Sequence, residues 1–277
     1  MTNSGTSQWD NLLRNLGAWE GSFTRLSPQG QVIENIPTIV TLAGIDNNQT
    51  VRQTLQYYSP ITQELTQEKV LEYSSLGRGV LVFEDGAFSQ GSLQFSPVAE
   101  FGAELGFIWK DRRMRLVELF DSGELSSLTL IREQLQGSST AERPPLTVQQ
   151  LVGTWQGEAV TLHPDWRPPD RFLTTLAISQ EGDYLHQQLT TPHFQLSSSA
   201  RISDSRLLFD QGIYPSQVVL LPDGASANTP LSIPRGRPFL LEAGWMMSDR
   251  RRQRMIRSYD AKGAWSSLTL VTEQKEG

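Results

Sequence analysis

The sequence predicts an all-β fold made of two tandem antiparallel β-barrels, each preceded by a short helix. Three observations lead to this prediction. Segments of the first half recur in the same order in the second half, and apolar residues alternate along most of each half. Helical spacing of apolar residues occurs only just before a Gly-x-Trp tripeptide, once in each half.

The internal repeat is the strongest of these observations. Ser126-Ser127-Leu128-Thr129-Leu130 returns letter for letter at 266–270, and Glu133-Gln134 returns as Glu273-Gln274. Three further matches, in chain order, are 16–21 with 152–157, 83–88 with 209–214, and 106–113 with 244–251. Ordered matches of this kind indicate a duplication whose loops have gained and lost residues.

The repeat also sets the expected domain boundaries. Residues 136–145 are small, polar and end in two prolines, a composition typical of a linker. We therefore expect a first barrel over residues 1–135, a linker over 136–145, and a second barrel over 146–277.

Strand and turn signals support barrels in both halves. Period-two alternation runs through 36–42, 50–57, 115–120 and 126–132, and turn signals such as Asp121-Ser122-Gly123 separate the runs at hairpin distances. A short helix followed only by strands, within about 125 residues, fits an up-and-down barrel better than a sandwich with long crossovers.

Composition excludes several function classes. The chain has 277 residues and a formal net charge of −6, which argues against a broad nucleic-acid-binding surface. It has no cysteine, so disulfides, thiolate metal sites and a cysteine nucleophile are excluded. Neither a signal peptide nor a long apolar segment is present, so we expect a cytoplasmic protein without a transmembrane span.

The Gly-x-Trp segments carry a resemblance to a known superfamily. A helical turn followed by Gly17-Ala18-Trp19, and again by Gly153-Thr154-Trp155, resembles the start of calycins, the lipocalin-like barrels. The resemblance implies that each tryptophan plugs the closed end of its barrel, with a basic residue of the last strand packed across the indole. Arg132 stands at that position in the first copy, whereas Thr272 stands there in the second. Trp19, Trp155 and Arg132 are accordingly predicted to be structural.

A closer resemblance covers more of the chain. Residues 83–97, Phe-Glu-Asp-Gly-Ala-Phe-Ser-Gln-Gly-Ser-Leu-Gln-Phe-Ser-Pro, with 100–106 after them, are similar to the DUF3598 family of cyanobacteria and plastids. That resemblance implies a phototrophic source and a barrel fold, and it implies no reaction.

Two arginine clusters occupy equivalent places in the repeat. Arg112, Arg113 and Arg115 stand in the first copy, and 250–254 holds four arginines in the second. Because arginine binds carboxylates in a bidentate fork, these clusters could clamp an acidic ligand, such as a tetrapyrrole propionate or a fatty acid, or dock an acidic protein. A solvated hairpin is the alternative interpretation.

Carboxylates and aromatic residues complete the candidate site, which we expect in the first barrel. Glu104 and Glu118 flank the first arginine cluster, and together with Arg113 they would be the catalytic groups if the protein is an enzyme. Surface cross-strand pairs are the alternative for these carboxylates. The predicted ligand-binding residues are Tyr57, Glu72, Phe83, Phe88, Arg113, Arg115 and Glu118.

Metal and cofactor chemistry find little support in the sequence. His163, His186 and His193 match no metal-binding spacing, and phosphate-binding or hydrolase motifs are missing. We therefore expect neither a metal nor a cofactor.

Three functional hypotheses remain open. The first is a binding protein for a small hydrophobic or amphipathic ligand (a lipid, carotenoid or tetrapyrrole) that serves as an accessory or assembly factor with a photosynthetic protein partner. The second is an enzyme that uses the barrel cavity, such as an isomerase, a cyclase or a bilin lyase. The third is a scaffold that only docks proteins. The lack of a nucleophile and of paired histidines favours the first over the second.

Overall fold

A computed structural model describes residues 7–212 and 214–277 and contains two antiparallel β-sheets with short helices before each. In the first half, helix α1 spans Gln8–Leu12 and leads through a 3-10 turn into the sheet. The strands are β1 (Gly17–Leu26), β2 (Val32–Ile45), β3 (Thr50–Tyr58), β4 (Leu65–Tyr73), β5 (Val80–Val82), β6 (Phe88–Gly91), β7 (Phe101–Trp109), β8 (Arg112–Asp121) and β9 (Glu124–Leu135).

The second half repeats this order with one more strand. Helix α2 spans Val148–Leu151. The strands are β10 (Gly153–Leu162), β11 (Asp170–Glu181), β12 (Tyr184–Thr190), β13 (Gln195–Ser203), β14 (Arg206–Phe209), β15 (Ser216–Leu220), β16 (Ala225–Pro230), β17 (Phe239–Ser248), β18 (Arg251–Tyr259) and β19 (Trp265–Lys275).

The predicted all-β fold with tandem barrels is confirmed, and the two barrels differ in closure. Strands β10 to β19 form a closed barrel in which β19 pairs with β10. The first sheet has the order β4-β3-β2-β1-β9-β8-β7-β6-β5, and β4 and β5 are not paired with each other. The first unit is therefore a barrel split along one seam, and neither unit has the eight strands typical of small ligand-binding barrels.

The strand registers correct one of the repeat matches. Gly106 and Gly244 are equivalent in the repeat, and they pair with Phe88 and Ser226 respectively. Residues 85–87, Asp-Gly-Ala, therefore correspond to the Asp-Gly-Ala of 223–225, so matching 83–88 with 209–214 was wrong. The misleading similarity arises because β14 and the loop after it are additional in the second copy.

Among the described residues, three apolar cores stabilise the fold. One surrounds Trp19 inside the first sheet, and a second surrounds Trp155 inside the closed barrel. The third is shared, since it joins residues such as Leu105 and Phe107 of β7 to Leu241 and Trp245 of β17. These side chains project from the outer faces of both sheets, so the two barrels are packed against each other wall to wall.

The segment predicted to be a linker, residues 136–145, bonds to both units. Thr140 accepts a hydrogen bond from Arg112 through its carbonyl, and the Arg143 backbone N–H donates to the Asp223 carboxylate at 2.7 Å. Glu142 pairs with Arg132 at 2.7 Å. The segment therefore crosses the barrel junction as a bound strap.

Candidate functional site

The glycine of each Gly-x-Trp segment allows the chain to turn from the helix into the first strand. Gly17 has φ of +138° and Gly153 has φ of +130°, a region that residues with a side chain rarely adopt. The indole that follows is buried in each case. Its N–H donates at 2.9 Å to a carbonyl at the end of the preceding helical segment, Asn15 for Trp19 and Leu151 for Trp155.

An arginine of the penultimate strand covers each indole. The guanidinium carbon of Arg113 lies 4.6 Å from the ring centroid of Trp19, and that of Arg252 lies 4.2 Å from the ring centroid of Trp155. The prediction that Arg132 covers Trp19 is wrong. Strand alternation turns Arg132 to the outer face of β9, where it bonds Glu142 and Thr24.

A buried glutamate of the last strand fixes these arginines. In the first barrel, Glu133 accepts two hydrogen bonds from Arg113 (2.7 and 3.0 Å) and two from Arg115 (3.1 and 3.0 Å). Arg115 also bonds Glu104 at 2.7 Å, and the Gln90 amide donates to Glu104 at 2.6 Å. The result is a chain of charges leading from the indole toward the barrel interior.

The second barrel contains the same network. Glu273 accepts hydrogen bonds from Arg252 at 2.5 Å and from Arg254 at 3.0 and 2.9 Å. Arg254 bonds Glu242 at 3.1 Å, and the Asn228 amide donates to Glu242 at 3.1 Å. The second copy therefore has its plug partner, Arg252, although its last strand carries Thr272 where Arg132 stands.

The electrostatics show that these groups neutralise one another. Burial opposes ionisation of Glu133 and Glu273, yet the two arginines beside each carboxylate lower its pKa, to about 2 for Glu273. Burial likewise opposes the charge of Arg115 and Arg254, but the paired carboxylates raise the pKa of both guanidinium groups. Each network holds two arginines and two glutamates, so it has no unpaired cation with which to bind an acidic ligand.

Glu118 lies away from this network. Its side chain points out of β8 into the interface between the barrels, where it is 0% exposed. Burial, with the negative charge of Glu242, raises its pKa well above the ordinary value, and Thr229 across the interface only partly opposes the rise. A catalytic group formed by Glu118 with Glu104 and Arg113 is therefore contradicted, because Glu118 occupies the opposite face of the sheet.

The predicted ligand-binding residues are dispersed among three environments. Tyr57 faces the interior of the first sheet, where its ring meets Phe23 edge-on at 5.8 Å, and Phe88 packs partly buried around the Trp19 core. Phe83 is buried in the core shared by the two barrels. Glu72 is exposed on the outer face of β4 and pairs with Arg52 at 2.6 Å. Only Tyr57, Phe88, Arg113 and Arg115 share the interior of the first unit.

A cavity lies in the second barrel. Its volume is about 960 Å³, within the range of small-molecule sites. The inward-facing residues of its wall include Gln187, Ser198, Phe209, Asn228 and Leu240. Sequence reasoning placed a pocket in the first copy and missed this one. The run Ser197-Ser198-Ser199 on a strand was the available signal, since small polar side chains leave space inside a barrel wall.

The three histidines form no common site. His163 bonds Asp170 at 2.9 Å, His186 bonds Ser199 at 2.7 Å, and the His193 ring meets Phe172 at 5.7 Å. No group of three metal-ligating side chains occurs within residues 7–212 and 214–277. Over the same residues, no helix has the length and apolar character needed to cross a membrane.

Two family models match the chain, one on each half. The N-terminal domain of unknown function DUF3598 matches residues 5–138. The C-terminal domain of "Biogenesis factor required for ATP synthase 1" matches residues 142–276. None of the curated proteins matches the sequence.

Solved structures give a close relative and a distant one. The crystal structure of a protein of unknown function from the DUF3598 family, from Nostoc punctiforme, shares 47% identity, with coverage of 98% of this chain and 100% of that chain and a TM-score of 0.93. An S-type phycobiliprotein lyase from Guillardia theta shares 11% identity, with coverage of 47% of this chain and 90% of that chain and a TM-score of 0.38, too low a likeness for inferring a role. On the identity and full coverage of the Nostoc structure, this chain belongs to the DUF3598 family.

Proposed function

We propose that this protein is a non-enzymatic assembly factor that binds a subunit of ATP synthase in the cytoplasm during biogenesis of the complex. The observation that carries the proposal is the match of residues 142–276 to the C-terminal domain of a biogenesis factor required for ATP synthase. The match covers all ten strands of the closed barrel, so the proposed binding function rests on that unit.

The geometry of the charged groups supports binding rather than catalysis. An isomerase, a cyclase or a bilin lyase needs an acid or base that the substrate can reach. Glu133 and Glu273 are held by two arginines each, and Glu118 is sealed between the barrels. The networks are better explained as supports for the tryptophan plugs.

The proposal is tested by removing the gene from the native host and measuring assembled ATP synthase by native electrophoresis. We expect fewer assembled complexes, with photosystem levels as the control, and recovery on return of the full chain. Cross-linking of a tagged full chain should also recover a named ATP synthase subunit. Normal ATP synthase levels together with no cross-linked subunit would refute the proposal.

A second candidate is a carrier of a small lipid, carotenoid or tetrapyrrole. The observation that favours it is the cavity of about 960 Å³ in the second barrel. Native mass spectrometry and absorption spectra of the full chain purified from its host would detect such a ligand. A protein of apo mass and no visible absorption would exclude a stably bound pigment or lipid.

A further inference from the structure

The cavity of the second barrel borders a gap in the strand pairing of its wall, beside β13. On one side of β13, residues 195–201 pair with β12. On the other side only 201–203 pair with β14, so 195–200 has a single strand neighbour in the described structure. The cavity is bounded there by residues 196–199 on one side and by Phe209, Gln211, Gly212, Tyr214 and Ser216 on the other. We call this gap the β13 cleft.

The strand register shows which backbone groups face the β13 cleft. Ile202 donates to the Asp183 carbonyl at 2.8 Å, and Phe194 accepts from Thr191 at 2.9 Å, so even-numbered residues of β13 bond toward β12. The N–H and C=O groups of Ser197 and Ser199 therefore point away from β12 and into the cleft. A free strand edge of this kind is a template for pairing with another extended chain.

The chemistry of the lining is neutral and hydrogen-bonding. No Asp, Glu, Lys or Arg occurs among the residues found to line the cavity. Amides and hydroxyls alternate with apolar side chains: Gln187 donates to Ser198 at 2.9 Å, while Leu196, Phe209 and Leu240 supply apolar surface. A carotenoid would leave these polar groups unsatisfied, and a fatty acid or tetrapyrrole would find no cation for its carboxylates.

We propose that the β13 cleft binds an uncharged, extended polypeptide segment of a partner protein by strand addition to β13. The bound segment pairs its backbone with Ser197 and Ser199 and places alternate apolar side chains in the cavity. The inference rests on the proposed function, since it takes the partner to be an ATP synthase subunit. Strand β14 provides the precedent, because it pairs with the same edge of β13 from Arg201 onward.

The test uses the full chain and an array of short overlapping peptides that span the ATP synthase subunits of its host. Ser197→Pro removes the N–H donor while keeping an edge position that tolerates proline. Ser197→Ala keeps the N–H and is the matched control. We expect the proline variant to bind its best peptide about tenfold more weakly, because one backbone hydrogen bond is lost, and the alanine variant to bind as the wild type does.

A second pair of variants keeps the test valid if Ser197→Pro lowers the melting temperature. Gln187→Glu introduces a charge into the neutral cavity and should weaken the same peptide, whereas Gln180→Glu, on the exposed part of β11, should not. Hydrogen exchange of residues 195–200 should slow when the peptide is bound.

The possible outcomes separate the two proposals. If the full chain cross-links to an ATP synthase subunit, but Ser197→Pro and Gln187→Glu bind peptide like the wild type, the strand-addition inference fails and the assembly role stands. If peptide binding responds to both variants while ATP synthase assembly is normal in the deletion host, the assembly role fails. A lipid or pigment that occupies the cavity, and that no peptide displaces, overturns the inference.

Discussion

The two barrels of this protein keep the same charged network and differ in the wall beside it. In both, an arginine covers the plugging indole, a glutamate of the last strand holds two arginines, and a second glutamate extends the network. The wall after the fourth strand differs, because residues 204–215 of the second copy contain β14, whereas residues 74–79 connect β4 directly to β5.

Helix α1 compensates for the missing strand in the first unit. The Gln8 side chain accepts from the Val82 N–H at 2.7 Å and donates to the Val82 carbonyl at 2.8 Å, and Asn11 donates to the same carbonyl. Trp9 of the same helix meets Tyr73, the last residue of β4, at 6.3 Å. The helix therefore bridges the gap between β4 and β5 at the end of the barrel where Trp19 is buried. The comparison teaches that both barrels retain the arginines and glutamates beside the buried tryptophan. The gap in the wall after the fourth strand is instead bridged by a strand in one barrel and by a helix in the other.

The largest expected effect comes from removing the glutamate of the plug. Glu133→Ala and Glu273→Ala each leave two buried arginines without their carboxylate, so each should lower the free energy of unfolding by about 3–5 kcal/mol. Chemical denaturation of the full chain measures this. Similar losses of unfolding free energy in the two variants would show that the two networks are equivalent. A loss below about 1 kcal/mol in either variant would contradict this equivalence, because exposed ion pairs contribute no more than that.

Acid unfolding provides a second measurement of the contribution of Glu273 to stability. The pKa of Glu273 is lowered from its ordinary value to about 2, so the native state stabilises the ionised form. That contribution is present above the unfolded pKa and is lost as the pH falls from about 4.5 toward 2. The Glu273→Ala variant should lose less stability than the wild type over this range, as seen by circular dichroism against pH.

Glu118→Gln should have the next largest effect, with the opposite sign. Burial raises the pKa of Glu118, so the native state keeps a proton that the unfolded chain releases, and stability falls as the pH rises above about 4.5. The amide removes this dependence. We expect the variant to be more stable than the wild type by about 1–3 kcal/mol at neutral pH and equal to it near pH 4.

Thermal melts at several pH values measure this difference. The melts near pH 4, where the two proteins are expected to be equally stable, are the control. A Glu118→Gln protein that is less stable than the wild type at neutral pH would contradict this prediction, because it would show that the native state stabilises the ionised carboxylate.

Gln8→Ala probes how the seam is closed and should have a smaller effect. The substitution removes both hydrogen bonds to Val82, so we expect a loss of about 1–2 kcal/mol and faster hydrogen exchange in β5. The matched control is Gln149→Ala in α2, since that side chain bonds only the exposed Gln180 at 2.8 Å. Equal effects of the two substitutions would mean that α1 has no special role at the seam.

Glu72→Ala should have the smallest effect. The pair with Arg52 is exposed on both sides, with 51% and 49% of the side-chain surfaces accessible, and such pairs contribute about 0–1 kcal/mol. Arg52→Ala should lower the free energy of unfolding by the same small amount as Glu72→Ala. Glu72 was predicted to bind ligand, so a loss of peptide or small-molecule binding in this variant would contradict its placement outside the cavity.

The sequence allowed the fold to be predicted better than the site. The duplicated Gly-x-Trp and Ser-Ser-Leu-Thr-Leu segments indicated two β-units with a short helix before each, because local patterning reports strands and their spacing. The role of Glu118 could not be predicted, since alternation shows that it faces away from Arg113 but not which face is covered by the other barrel. Glu133 and Glu273 were visible as a repeated Glu-Gln, yet their bonds to the arginines depend on the register between strands.

The middle repeat shows a second limit. Phe83 and Phe209 begin similar strings of residues, but one follows β5 and the other ends β14. A short sequence match between the two copies cannot reveal an inserted strand, because the insertion shifts the alignment of all residues that follow it. The β13 cleft, which lies next to the inserted strand, therefore could not be predicted from the sequence.

The hairpin contacts between the barrels have a consequence for assembly. Leu93 and Phe95 exchange backbone hydrogen bonds with Trp265 and Gly263, and residues 231 and 233 of the second copy do the same with 125 and 123 of the first. This reciprocity is the signature of an isologous dimer made within one polypeptide. Either half expressed by itself would carry a solvent-exposed dimerisation surface, so we expect separated halves to reassociate when mixed and a nick in the strap to leave the pair intact.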